Sequence, residues 1–165
     1  MRFSGPLYRA SNTIYTREPL SGRGAELYGG RFNAKGTPAL YAALDVMTAI
    51  REANQVGALQ PTTLVSYDAE IEQVFDTRDT VALTAQGVDA ASLTSTSWRD
   101  EMRATGLSRA QAFARQLVAL GFHGLLVRSF APGATAGDLN LVLSSWSSRV
   151  SNRLTPIDNE NRLSQ

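Results

Sequence analysis

One domain that mixes strands with helices is what the sequence predicts, and three observations carry that prediction. Runs of β-branched, aromatic or alternating apolar residues recur at positions 7–10, 39–43, 62–67, 74–75, 124–129 and 139–143, the short lengths that strands take. Between them, capping residues open stretches of 3.6-residue periodicity at 46–54 and beyond Ser108. The 165 residues, 43% hydrophobic and 19% charged, suffice for one sizeable core and fall short of two, so 1–165 is read as a single domain whose C-terminal tail begins near 144.

The chain opens on a short strand, Leu7-Tyr8-Arg9-Ala10, followed from Ser11 to Gly24 by a polar, glycine-containing loop that includes Pro19. Gly29 and Gly30 let the backbone bend or approach a ligand, and Asn33-Ala-Lys-Gly36 has the residues of a turn. Arg31 is therefore expected at a strand beside a tight turn. In the strand at 39–43, alternation puts Ala39, Tyr41 and Ala43 on one face and Leu40, Ala42 and Leu44 on the other. Its small neighbours leave the Tyr41 ring open to a flat partner, although packing against a helix would use the same geometry.

Asp45 is a good N-cap, and Val46, Ala49, Ile50 and Ala53 form the apolar stripe of the helix that follows. Glu52 lies on the flank of that stripe near the helix C-terminus, where the macrodipole disfavours a carboxylate by about a few tenths of a kcal/mol. Arg51 is adjacent in sequence and points away, so a buried or half-buried Glu52 needs a cation from elsewhere in the fold.

Gly57 to Pro61 reads as a loop before the strand at 62–67. The strand at 74–75 fades over 76–83, and the small polar residues of 84–96 carry no usable motif. Ser97 is expected to cap a short helix from Trp98. Ser108 with Gln111 makes a capping box, and Ala110, Phe113, Ala114, Leu117 and Val118 line an apolar face that ends before Gly121. The strands at 124–129 and 139–143 bracket a loop containing Pro132, Gly133 and Gly137. In the tail, Trp146, Val150, Leu154 and Ile157 are candidate anchors to the body.

Composition removes several function classes. A formal charge of +1, without any run of five or six like charges, offers no electrostatic track for nucleic acid or an anionic membrane. There is no cysteine, which excludes disulfides, thiolate nucleophiles and cysteine-ligated metals, and a single histidine, His123, which reads as a surface or strand-edge residue and argues against the usual zinc ligand sets and a histidine-based triad. Neither G-x-G-x-x-G nor G-x-x-x-x-G-K-[ST] occurs, so any nucleotide is held by other means. The first residues lack the apolar core of a signal peptide and the longest apolar run, 39–44, cannot span a bilayer, which makes a soluble cytoplasmic protein the expectation.

Arginine, tyrosine, glutamate and serine remain. They suit cleavage of a glycosidic bond through an oxocarbenium-like transition state, a carboxylate stabilising the positive charge while an arginine clamps a phosphate. Each residue alone has an ordinary explanation: a core tyrosine, a solvated helix glutamate, a Gly-Gly-Arg turn. The set also suits a module that binds a nucleotide or a protein without catalysis.

Three stretches taken together resemble the RES-domain toxins, a bacterial family named for Arg, Glu and Ser and found beside an antitoxin of the Xre class. They are Tyr8-Arg9, the block from Gly-Gly-Arg31-Phe-Asn-Ala-Lys-Gly through Leu-Tyr41-Ala-Ala to Glu52, and Arg-Ser129 followed by Asn140-Leu-Val-Leu. The resemblance runs to about Ser144, and the central block is its specific part. It implies an α+β, ADP-ribosyltransferase-like fold: a split, mostly antiparallel β core with flanking helices. It also implies a toxin that consumes NAD as substrate without a metal, transferring ADP-ribose to a protein acceptor, with hydrolysis or phosphorolysis of NAD as the rival activity. In such a site Arg31 pairs with the pyrophosphate or the nicotinamide-side ribose, Tyr41 stacks on nicotinamide, and Glu52 binds the ribose hydroxyl and stabilises the cation. Arg9 is implied as a second phosphate-side cation and Ser129 and Asn140 as NAD-binding groups, while Arg9 or Arg31 is the expected partner of Glu52. Ile50 stands where many arginine-modifying transferases carry a second Glu or a Gln, which counts against an arginine acceptor.

Overall fold

The computed structural model describes residues 1–55, 60–148 and 151–164. Val150 and most of the loop expected at 57–61 lie outside the described residues. Seven strands, β1 (Phe3–Asn12), β2 (Leu40–Ala43), β3 (Thr62–Ile71), β4 (Val74–Asp76), β5 (Gly124–Arg128), β6 (Leu139–Leu143) and β7 (Arg153–Pro156), form one sheet in the order β4-β5-β6-β2-β1-β3-β7. Every neighbouring pair is antiparallel except β4–β5. The helices are α1 (Arg23–Tyr28), α2 (Val46–Ala53), α3 (Thr80–Ala85), α4 (Ala90–Thr94), α5 (Trp98–Thr105) and α6 (Arg109–Ala119).

The join between β1 and β2 is the distinctive part of the sheet. β1 pairs with β3 along its whole length, from Phe3↔Ile71 to Asn12↔Thr62, and β2 pairs with β6 along all four of its residues. Between β1 and β2 the register holds one pair, Tyr8↔Ala43. The sheet is thus two halves that meet at a point, which is the split antiparallel core expected from the sequence.

Strand alternation distributes two cores over the two faces. Leu40, Leu126, Leu141 and Leu143 point into one, which also contains Leu7, Tyr67, Ile71 and Leu154 and is closed by Leu20 and Trp146. Val127, Val142, Phe75 and Phe32 belong to the other, covered by Leu83 of α3, Leu93 of α4, and Phe113 and Leu117 of α6, with Tyr41 against it. The expected division of the 39–44 strand is therefore correct.

The strongest local signals hold. Asp45 accepts from the Thr48 N–H and starts α2. Ser108 and Gln111 form the reciprocal capping box of α6. Several expectations need correction. α5 begins at Trp98 with Ser97 at its N-cap position, as expected, but the Ser97 side chain makes no cap bond to backbone; it donates to Glu101 Oε1, whose other oxygen accepts the Arg109 N–H and ties α5 to α6. The loop at 11–24 gives way to the end of β1 and the start of α1, a six-residue helix packed by tertiary contacts: a Cβ on Gly22 would lie 2.6 Å from the Trp146 indole. The featureless stretch 76–96 holds α3 and α4, capped by Asp79 and Asp89. The tail contributes β7, an edge strand ending on Pro156 whose Arg153 reaches Asp68 and Glu70 on β3. Trp146 and Leu154 are anchors, the first donating to Leu20 O at 2.8 Å and the second fully buried, but Ile157 is exposed.

Because both members of the α6 capping box are buried, Ser108→Ala is expected to lower unfolding stability by about 1 kcal/mol with an unchanged dependence on denaturant, as read from urea unfolding of the two proteins.

Candidate active site

Where the two half-sheets diverge, a cleft of about 390 Å³ opens between β1 and β2. Tyr8, Arg9 and Ala10 line it from β1, Tyr41 to Ala43 from β2, Glu52 and Gln55 from the end of α2, and Val127, Asn140 and Val142 from β5 and β6. The volume lies within the range of about 300–1,000 Å³ typical of small-molecule sites.

Glu52 is half-buried, and its carboxylate is held by neutral donors. Oε1 accepts from Ser129 Oγ at 2.5 Å and from Asn140 Nδ2 at 2.6 Å, and Oε2 accepts from the Gln55 amide. Among the described residues no arginine approaches Glu52 within ion-pair distance, so the expected partnership with Arg9 or Arg31 is not formed. The reason is geometric: the ends of β5 and β6 bring hydroxyl and amide donors to the end of α2 first, and these satisfy the carboxylate. Among the described residues the Asn140 Oδ1 finds no partner and is buried, its amide being turned with nitrogen toward Glu52; such an acceptor costs about 1–3 kcal/mol.

Arg51 does point away, as the sequence implied. It pairs with Asp138 at 3.1 Å. Asp138 Oδ2 accepts from the Thr135 N–H at 2.6 Å and hydroxyl at 2.9 Å, the Thr48 hydroxyl lies 2.8 Å from Oδ1, and the Asp138 carbonyl accepts the Ser129 N–H at 2.7 Å. One residue thus ties the helix carrying Glu52 to the segment carrying Ser129. The Thr135 N–H, then the Thr48 and Thr135 hydroxyls, hold the Asp138 carboxyl down at about 2.

Tyr41 donates to Asn33 Oδ1 at 2.7 Å and accepts the Phe32 N–H at 3.0 Å. Burial pushes its phenol well above the usual range, so it remains a neutral donor. Asn33 in turn binds the carbonyls of Ala25 and Thr37, each at 2.8 Å, which fixes the loop around Arg31. The double glycine has a steric cause: a Cβ on Gly30 would stand 2.5 Å from the Tyr41 hydroxyl and 2.6 Å from Asn33 Oδ1.

Arg31 sits inside the turn between the bridged residues Gly30 and Asn33, rather than on a strand. Its Nη1 donates to Leu93 O at 3.1 Å and Ser95 O at 2.7 Å, and its guanidinium lies 4.2 Å from the Phe130 ring centroid and 5.8 Å from that of Trp98. Burial, then the charge of Arg99, lowers its pKa, with Glu52 opposing. On the opposite wall Arg9 donates to Ser21 O at 3.0 Å. The fold therefore brings Arg9, Arg31, Tyr41, Glu52, Ser129 and Asn140 to one cleft or directly behind it. Sequence reading missed Asn33, Gln55, Trp98, Arg99 and Phe130. The Asx-rich turn offered a signal for Asn33; the other four come from segments whose position depends on tertiary packing. Among the described residues no cluster of three or more His, Cys, Asp or Glu side chains is placed to hold a metal ion, and no helix is long and apolar enough to cross a membrane.

The fold is α+β, a split and mostly antiparallel sheet with flanking helices and a cleft at the split. The RES domain family model matches residues 6–159, and the chain belongs to that family. It is 46% identical over 46 residues to Toxin Res of Photorhabdus laumondii subsp. laumondii, an alignment spanning 28% of this chain and 30% of that protein. Its structure superposes on a chain of the M. tuberculosis MbcT–MbcA toxin–antitoxin complex with a TM-score of 0.65 and 23% identity, covering 96% of this chain and 84% of that one.

Two outcomes are expected from the polar network. Tyr41→Phe strands the Phe32 N–H and Asn33 Oδ1 and lowers stability by about 1–3 kcal/mol in denaturant unfolding. The folded pKa of Asp138, about 2, lies below its ordinary 3.8, so its stabilising contribution is complete above roughly pH 4 and is lost as pH falls toward 2. Asp138→Asn is expected to remove that part of the acid dependence, as read from urea midpoints between pH 2 and 6.

Proposed function

We infer that this protein is the toxin of a toxin–antitoxin pair and that it cleaves the bond between nicotinamide and ribose in NAD. The observation carrying this reading is the half-buried Glu52 carboxylate, fixed through one oxygen by Ser129 and Asn140 in a cleft that also contains Tyr41, Arg9 and Arg31. Family membership and the names of the two relatives support the toxin role and a partner antitoxin; the Xre class of that antitoxin is carried over from the sequence resemblance alone.

In the reaction, nicotinamide departs as a neutral base with the electron pair of its bond to ribose C1′, leaving an oxocarbenium ion. Glu52 stabilises that cation and accepts a hydrogen bond from a ribose hydroxyl, which displaces Gln55 from Oε2. Tyr41 supplies a flat, neutral surface for the nicotinamide ring, and the arginines face the diphosphate. A nucleophile then attacks C1′ and loses its proton.

Two nucleophiles fit this scheme: a group on a protein acceptor, giving mono-ADP-ribosylation, or a small molecule such as water or phosphate, giving net loss of NAD. One observation favours the small molecule. Among the described residues Glu52 is the one carboxylate lining the cleft, with Ile50 and Gln55 as its near neighbours on the chain, so no second acid stands ready to deprotonate a nucleophile, which suits phosphate, already anionic at neutral pH, better than a neutral protein side chain.

Glu52→Gln keeps the shape and removes the charge. Its nicotinamide release from NAD is expected to fall by about a hundredfold or more, and a variant as fast as the parent would refute the mechanism. Mass spectrometry of proteins incubated with labelled NAD separates the two fates: labelled protein favours transfer, and free ADP-ribose or its phosphate favours NAD loss.

A further inference from the structure

The side of the cleft to which the sequence assigned a helix but no site residue is the start of α5. Arg99 lies with its guanidinium carbon 4.5 Å from the centroid of the Trp98 ring, and Arg31 approaches the same ring at 5.8 Å. Both arginines line the cleft. Among the described residues neither has a carboxylate within 4.0 Å, whereas Arg2, Arg51, Arg78, Arg103, Arg153 and Arg162 all do.

The two guanidinium groups are not equivalent. Arg31 spends Nη1 on the carbonyls of Leu93 and Ser95 and is packed against Phe130, so much of its capacity goes to fixing the segment that leads into α5. Arg99 is exposed and makes no hydrogen bond to another described residue, and its stack on the indole holds the planar fork in place while leaving its donors free. Burial first, and the charge of Arg99 after it, lower the Arg31 pKa; like charges brought together at one cleft wall repel, and an anion held between them relieves that repulsion.

We propose that Arg99, presented on the Trp98 ring, is the residue that grips the diphosphate of the dinucleotide, with Arg31 as the fixed cation behind it. This rests on NAD being the substrate. Bidentate pairing of guanidinium with phosphate oxygens suits the free fork of Arg99 better than the half-occupied one of Arg31.

The test uses the full chain, with calorimetry of ADP binding and kinetics of nicotinamide release from NAD. Arg99→Gln is expected to weaken ADP binding about tenfold, with the kinetic loss falling on KM more than on kcat, and Arg99→Lys to recover part of it. Raising the salt concentration is expected to narrow the gap between parent and Arg99→Gln. If Arg99→Gln binds ADP as tightly as the parent, the clamp is overturned, and NAD cleavage stands provided the parent releases nicotinamide. If ADP binding depends on Arg99 but the parent releases no nicotinamide, the clamp stands and the NAD reading falls. Failure of the parent to bind ADP also overturns the clamp.

Discussion

The single pair Tyr8↔Ala43 is the constraint on which the molecule's working parts depend. Two strands that run side by side for four or five residues close a sheet and leave no space between them. Here β1 and β2 touch once and then part, and the resulting gap is the cleft. Divergence of this kind exposes backbone donors and acceptors, so each strand must be secured on its other side. β1 is secured by its ten-residue ladder to β3, and β2 by complete pairing with β6. The halves are rigid because each is fully paired within itself, and the site is open because they are barely paired to each other.

That arrangement also explains how a carboxylate survives at the C-terminal end of a helix without an ion pair. The ends of β5 and β6 pass close to the end of α2 and present Ser129 and Asn140, whose dipoles stabilise the charge of Glu52 without cancelling it. For the proposed chemistry the difference matters. An arginine bound directly to Glu52 would neutralise the field that a developing oxocarbenium ion needs, whereas hydrogen bonds from neutral groups fix the carboxylate and leave its charge available. Asp138 reinforces this from behind, its carboxylate pairing with Arg51, the neighbour of Glu52 in sequence, and its carbonyl accepting the Ser129 N–H.

What could be read from the sequence follows a physical division. Asp45 with α2, the Ser108–Gln111 box and the alternation around Tyr41 were legible because capping and periodicity act within a few residues. The extension of β1 through Gly5 and Pro6 was hidden, because it is imposed by a ladder to β3, some sixty residues away in the chain. The same holds for α1, whose N-cap Gly22 reads as a breaker until Trp146 is packed against it. At the site, Arg31, Tyr41 and Glu52 lie within one stretch of sequence, whereas Arg99 comes from a region with no motif. Its relevance arises only when Arg31 binds the carbonyls of residues 93 and 95 and draws α5 to the cleft. The demand for a cation beside Glu52 was reasonable for an isolated helix end and wrong for one met by two strand ends.

Net charge was the least informative quantity in the sequence, and the distribution of ion pairs shows why. A formal charge of +1 describes a nearly neutral protein, and by itself argues against any strongly anionic partner. The fold, however, spends its carboxylates unevenly. Asp68, Glu70, Asp76, Asp100, Asp138 and Glu160 pair with arginines away from the cleft, while Arg9, Arg31 and Arg99 are left facing it without such partners among the described residues. The cleft is locally positive because, among the described residues, three arginines and one carboxylate, Glu52, line it. A groove with low-dielectric walls concentrates that field, so a chain that is electrically unremarkable as a whole carries a locally positive cleft, as the proposed binding of a diphosphate requires.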